Sequence, residues 1–257
     1  MRLALIFLSV LFVSGLYAGS EDGKDSHGLF TELLTQYVHD GKVNYNELRK
    51  DDRLDKYLSQ LSQTSPDGIE HEKEKLAFWI NAYNAFTLKI ICDNYPVKSI
   101  KDLSFGGSVI GNVLNTTVWD KKFVEINGSK MSLNHIEHEI IRKNFNNPGI
   151  HFALVCAAVS CPPLRSEAYE GYKLDDQLKE QGKVFFCDKS KNYFEVDKGI
   201  AHLSKILDWY GSDFGANDTE VLRSMARFLP AQIASALEKN PGNWKIEYND
   251  YDWSLNE

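Results

Sequence analysis

Between residues 72 and 94 the chain carries helical sequence that is apolar almost all the way round, and it stops before Pro96. Taking about 100° per residue, Leu76, Ile80, Tyr83, Thr87 and Ile90 share one side, while Phe78 and Ala85 lie opposite. Such a helix has no face to give to water, so other elements must pack around it. Asn81 and Asn84 sit on this run and are therefore expected to be buried, where a carboxamide must find hydrogen-bond partners. Their expected role is to tie neighbouring loops to the core, and binding or holding an oxyanion is the functional alternative.

The surroundings read as further helices and short strands. Residues 30–38, 54–61, 132–143, 174–186, 202–210, 221–228 and 232–238 have helical spacing. Residues 122–126 lead into Asn127-Gly128, a strong hairpin signal, and residues 151–156 and 193–196 read as strands. The last aromatic stretch, 244–253, is expected to be extended, and the polar residues 19–27 flexible. Repeats and low-complexity linkers are absent, and 257 residues fit one domain. The expected fold class is therefore α+β, a single domain with helices packed on a small mixed or antiparallel sheet.

At the N-terminus, Arg2 is followed by an apolar run over residues 3–13, then by Ser14, Gly15 and the small residue Ala18. This is the layout of a secretory signal peptide ending at residue 18, with residues 19–257 as the mature domain. Export to the periplasm or outside is the matching expectation, with no integral membrane segment left after removal of the signal. A net charge of -7, with basic residues scattered, disfavours nucleic acid and anionic surfaces as partners. The glycine-rich stretch at 104–111 lacks the ending of a phosphate loop, and no nucleotide fingerprint or HExxH motif occurs. Neither a cofactor nor a metal is expected.

The chemistry concentrates in two segments. In residues 132–141 the apolar stripe is Leu133, Ile136, Ile140 and Ile141, and Glu137 lies about 40° from Leu133, inside that stripe. A carboxylate there must be paired, hydrogen-bonded or protonated, so Glu137 is either a structural ion pair or a site residue. His138 falls on the flank. In residues 151–156, strand alternation puts His151 and Cys156 on opposite faces, so Cys156 is expected to meet His138 rather than His151. If Pro162 opens a helical turn, Cys161 is its N-cap, where the helix dipole lowers a thiol's pKa. A disulfide is the structural alternative, since an exported chain with Cys92, Cys156, Cys161 and Cys187 allows three connectivities.

FWINAYNAFTL (78–88), IEHEI (136–140), HFALVCAAVSCPPL (151–164) and ILDWYGSDFG (206–215) resemble the hallmark segments of the family known as domain of unknown function 547. The resemblance implies no common reaction. It places Glu137, His138, His151 and Cys156 on family motifs, and implies that Cys161 is not kept in every relative. Two functions compete. One is a cysteine-dependent hydrolase or transferase with Cys156, or else Cys161, as nucleophile, His138 as base and Glu137 orienting it. The other is a non-catalytic module with bridged cysteines that binds a small molecule or peptide; Trp244, Tyr248, Tyr251 and Trp253 either contribute surface to it or, the favoured alternative, form a strand packed on the core.

Overall fold

The computed structural model describes residues 26–103 and 117–257. The expected signal segment, 1–18, and the glycine-rich stretch at 104–111 lie outside the described residues, as does most of the polar stretch 19–27. The end of that stretch is not loose: His27 is buried, with its Nδ1 2.7 Å from the Tyr57 hydroxyl.

The first four helices are α1 (Gly28–Tyr37), α2 (Tyr45–Leu48), α3 (Arg53–Gln63) and α4 (Glu72–Asn94). α4 is the helix expected to lie mid-core, and it is buried on every side from Leu76 to Leu88. It ends where Tyr95 turns extended, the conformation that a following proline imposes. α1 and α3 lay their apolar stripes together, with Phe30 stacked on Tyr57 at 4.7 Å. Each large apolar side chain removed from water in this cluster contributes roughly 2 kcal/mol. Behind α4, Gly171 presses so close that a Cβ would lie 2.7 Å from the Glu74 backbone.

Strands are short. β1 (Val38–His39) pairs with β2 (Lys42–Val43), and β3 (Val124–Ile126) pairs with β4 (Ser129–Met131), both antiparallel. In the second hairpin Asn127 and Gly128 have φ of 49° and 72°, the left-handed pair that a tight primed turn requires. β5 (Tyr193–Glu195), β6 (Ile200–Leu203) and β7 (Lys245–Tyr248) form a mixed sheet, antiparallel between β5 and β6 and parallel between β6 and β7. The helix expected from residue 202 thus begins later: β6 runs to Leu203, Ser204 caps, and the helix is Lys205–Tyr210. The fold is α+β, helices packed on small antiparallel and mixed sheets. Among the described residues no helix is long and apolar enough to cross a membrane.

A second apolar cluster fills the space between this sheet and the helices Leu174–Cys187, Asp218–Ala226 and Ala231–Lys239. Its centre is Phe152, edge-on to Phe186 at 5.0 Å and to Phe228 at 5.4 Å. The first cluster takes in Ala153 and Leu154, so the chain crosses from one cluster to the other within this segment.

That segment is not the strand its alternation predicts. Ile150–Ala153 is a single helical turn, opened by Pro148-Gly149, and residues 154–156 then run extended. A short apolar run has no period that separates a buried strand from a buried turn. Among the described residues no strand pairs with it. The Asn84 amide does so instead: Nδ2 donates to the Ala153 carbonyl at 2.9 Å, and Oδ1 accepts the Val155 N–H at 2.9 Å. One turn earlier on α4, Asn81 makes the same double bond to the Tyr169 backbone, at 2.8 and 2.9 Å. Nor does a helix follow Cys161. Pro162 precedes Pro163, which disfavours the helical region, and both prolines run on in a loop.

Asn84→Ala should therefore leave a buried N–H and a buried carbonyl without partners, at about 1–3 kcal/mol each. Urea unfolding should show a loss of about 3 kcal/mol; a loss below about 1 kcal/mol would mean that water or a neighbour replaces the amide.

Candidate active site

Where the two clusters meet, a cavity of about 260 Å³ opens between α4, the helical stretch around Glu137, the loop 154–161 and the C-terminal tail. Cys156 and Cys161 both line it, together with Glu137 and His151. Its walls are aromatic: Tyr83, Trp119, Trp209, Tyr210, Tyr251 and Trp253.

The cysteines are five residues apart in sequence and adjacent in space. Ala157 takes a left-handed φ of 62°, which costs a non-glycine residue about 1 kcal/mol and turns the chain back on itself. The C-terminal tail holds this turn in place. Val159 N–H donates to Ser254 O at 2.8 Å, Asn256 N–H to Ala157 O at 3.1 Å, and Ala158 pairs with Leu255. Both cysteines are free thiols, as are Cys92 and Cys187. The Cys156 Sγ lies 2.8 Å from the Cys161 Sγ and 3.2 Å from the Tyr251 hydroxyl, and the Cys156 N–H donates to Cys161 Sγ at 2.9 Å.

These contacts divide the pair. Burial raises the Cys161 pKa, but hydrogen bonds from the Cys156 thiol, the Cys156 N–H and Tyr251 outweigh it and hold Cys161 below the usual thiol value. The hydrogen bond to Cys161, and then burial, drive Cys156 the other way. Cys161 is thus the more readily ionised thiol of the pair and Cys156 its hydrogen-bond donor. The helix dipole expected to activate Cys161 is absent, and the hydrogen bonds replace it.

Glu137 is buried, as its place in the apolar stripe implied, but its helix is wider than expected. His135–Ile141 is a π-helix, so residues five apart align; Ile136 and Ile141 both point inward, and Arg142 N–H bonds to Glu137 O. π-turns of this kind are frequent at functional sites. The Glu137 carboxylate bonds to the Tyr210 phenol, whose pKa rises through burial first and then through that carboxylate.

His138 does not meet Cys156. Its Nδ1 lies 3.1 Å from the Arg142 guanidinium, and it lines a separate polar cleft with Arg142, Lys143 and Asp213. His151 comes to the thiols' cavity instead, because the helical turn at 150–153 removes the alternation that separated them. Its Nε2 is 2.8 Å from Asp213 Oδ2, and its ring stacks on Tyr210 at 4.3 Å. Arg142 clamps the same carboxylate with bonds of 2.8 and 2.7 Å. That clamp, with His151, holds Asp213 at about 2. Burial lowers the His151 pKa against the pull of Asp213, so the ring is neutral near pH 7. With Nε2–H given to Asp213, Nδ1 is left as the ring's acceptor.

Asn81 and Asn84 stand apart from the cavity with their amides spent on loop backbone. They position the site rather than contact a ligand. Asp213, Arg142 and Tyr210 escaped the reading of the sequence, although Tyr210 and Asp213 fall in the 206–215 block. Tyr251 and Trp253, nominated there as surface, form a wall of the cavity, while Tyr248 belongs to β7.

The fold and site together define a class: an α+β domain with a thiol pair and an Asp-held histidine around one aromatic cavity. The family described as "Protein of unknown function, DUF547" matches residues 66–186, and over that segment the chain is similar to it. The match covers α4, Glu137, His151 and both cavity cysteines, and ends before the 206–215 block. No curated protein and no solved structure matches the chain.

Because the folded pKa of Asp213 is depressed, its stabilisation is complete above about pH 4 and is lost as pH falls from there toward about 2. After allowing for solvent screening this amounts to about 1 kcal/mol. Asp213→Asn should be less stable than wild type by about that much at pH 6, with the gap closing between pH 4 and 2. Chemical denaturation at the two ends of that range checks it; a gap of constant size would show that the pair contributes nothing through charge.

Proposed function

We propose that this protein is a cysteine-dependent enzyme, of the hydrolase or transferase type, acting on a small molecule or peptide group held in the aromatic cavity. The observation that carries this reading is the meeting, around one cavity, of the Cys156–Cys161 pair and a histidine bonded at 2.8 Å to Asp213. In this reading Cys161 is the nucleophile, His151 the base and Asp213 the group that orients it. The roles first assigned to His138 and Glu137 pass to His151 and Asp213.

The chemistry is acyl transfer. The Cys161 sulfur forms a bond to an acyl carbon as the bond from that carbon to the leaving group breaks. The Cys161 thiol proton, taken up by His151 Nδ1, goes to the leaving group. Water or a second acceptor then cleaves the thioester and restores the thiol. Export through removal of residues 1–18 belongs to the same proposal, with an envelope or extracellular substrate.

A second reading is favoured by the 2.8 Å between the sulfurs: an oxidised Cys156–Cys161 bridge and a cavity that only binds.

Alkylation of the exported protein with iodoacetamide, followed by peptide mapping with and without prior reduction, separates the two. Burial pushes the Cys92 thiol up to about 12, which makes it an internal slow control. Cys161 should alkylate at least about ten times faster than Cys92 near neutral pH, and Tyr251→Phe should slow it several-fold. An activated ester such as p-nitrophenyl acetate should leave an acetyl group on Cys161, at a lower rate in His151→Ala. A Cys156–Cys161 pair that alkylates only after reduction would leave the binding module in front.

A further inference from the structure

We infer that the cavity is built for an organic cation, a ligand bearing a quaternary or alkylated ammonium group, which rests on the cavity being the ligand site proposed above. Glu137 is 7% exposed and lines the cavity, yet among the described residues no Lys, Arg or His forms an ion pair with it. Arg142, whose charge acts on Glu137, spends its hydrogen-bond donors on Asp213 and His138. A buried carboxylate with no ion pair of its own costs several kcal/mol, and the Tyr210 hydrogen bond and the field of Arg142 offset only part of that.

The walls supply what a cation needs on its other sides. Trp209 lies 4.9 Å from Tyr251 and 5.8 Å from Trp253, Tyr251 is 4.5 Å from Trp253, and Trp119 meets Trp253 edge-on at 5.7 Å. Aromatic faces carry negative charge density, and a desolvated cation over one gains up to about 2 kcal/mol. The chain already uses this affinity nearby, with the Lys101 ammonium 4.8 Å over the Trp253 ring. The aromatic box excludes strongly hydrated ions, because nothing on it replaces their water. It suits the weakly hydrated alkylammonium group, which needs apolar contact and one distant carboxylate. A volume of about 260 Å³ limits the bound part to a small head group.

Choline serves as the probe, against its uncharged isostere with carbon in place of nitrogen, by quenching of tryptophan fluorescence and calorimetry on the full chain. Wild type should bind choline at least about tenfold more tightly than the isostere. Glu137→Gln should abolish most of that preference without changing affinity for the isostere, and Trp209→Leu, at a half-exposed position, should weaken choline several-fold. Circular dichroism confirms that each variant is folded. Equal binding of the two probes, or an unchanged preference in Glu137→Gln, overturns the inference. Absence of choline binding with fast Cys161 alkylation intact overturns the cation specificity alone. Choline binding with Cys161 inert supports the cation site and overturns the nucleophile.

Discussion

The Asn84 amide pairs with the backbone of the loop before Cys156 from inside a helix that is buried on every side, and the rest of the site is arranged around that constraint. A helix placed mid-core must be surrounded, and here the last stretch to close around it is irregular chain rather than a strand or helix. Irregular backbone in a core carries unpaired N–H and carbonyl groups at a cost of about 1–3 kcal/mol each. Asn81 and Asn84 answer two such groups apiece, at Tyr169 and at Ala153–Val155. The loop that carries the cysteines can thus be both buried and non-repetitive, which a reactive group in a fixed place requires.

Two further restraints finish the site from distant parts of the chain. The tail around residues 252–256 laces the left-handed turn at Ala157, and in doing so brings Tyr251 to the Cys156 sulfur and Trp253 to the cavity wall. Asp213, from the turn after the Lys205–Tyr210 helix, joins Arg142, the residue that follows the π-helix, to His151 of the turn at 150–153. The cavity lies on the seam between the two apolar clusters, and residues from each contribute to it: Ile206 from the second, Leu154 from the first. Polar groups collect there because a seam between two cores is where apolar packing is least continuous.

The clear failures in reading the sequence have one source. Residues 151–156 alternate as a strand would, yet their backbone partner is an amide some seventy residues earlier, and no local pattern encodes that. Once the strand is replaced by a turn, His151 joins the thiols and His138 leaves them. The cap expected at Cys161 fails for a local reason that was legible, since a residue before Pro163 resists the helical region. The π-helix was not legible: a period near 100° per residue fits residues 132–141 acceptably, and the wider turn shows only in which bonds form.

By itself the sequence determined the buried helix, its two interior carboxamides, the Asn-Gly hairpin and the unusual inward placement of Glu137. All of these follow from periodicity and from the local demands of backbone and burial. It also nominated both cysteines and His151. Tertiary structure alone decided the partners: Cys161 rather than His138 beside Cys156, Asp213 rather than Glu137 beside the histidine, and an aromatic tail folded back as a wall. Hydrogen bonds between residues distant in sequence are set by how elements pack, and packing leaves no trace in the spacing of any one segment.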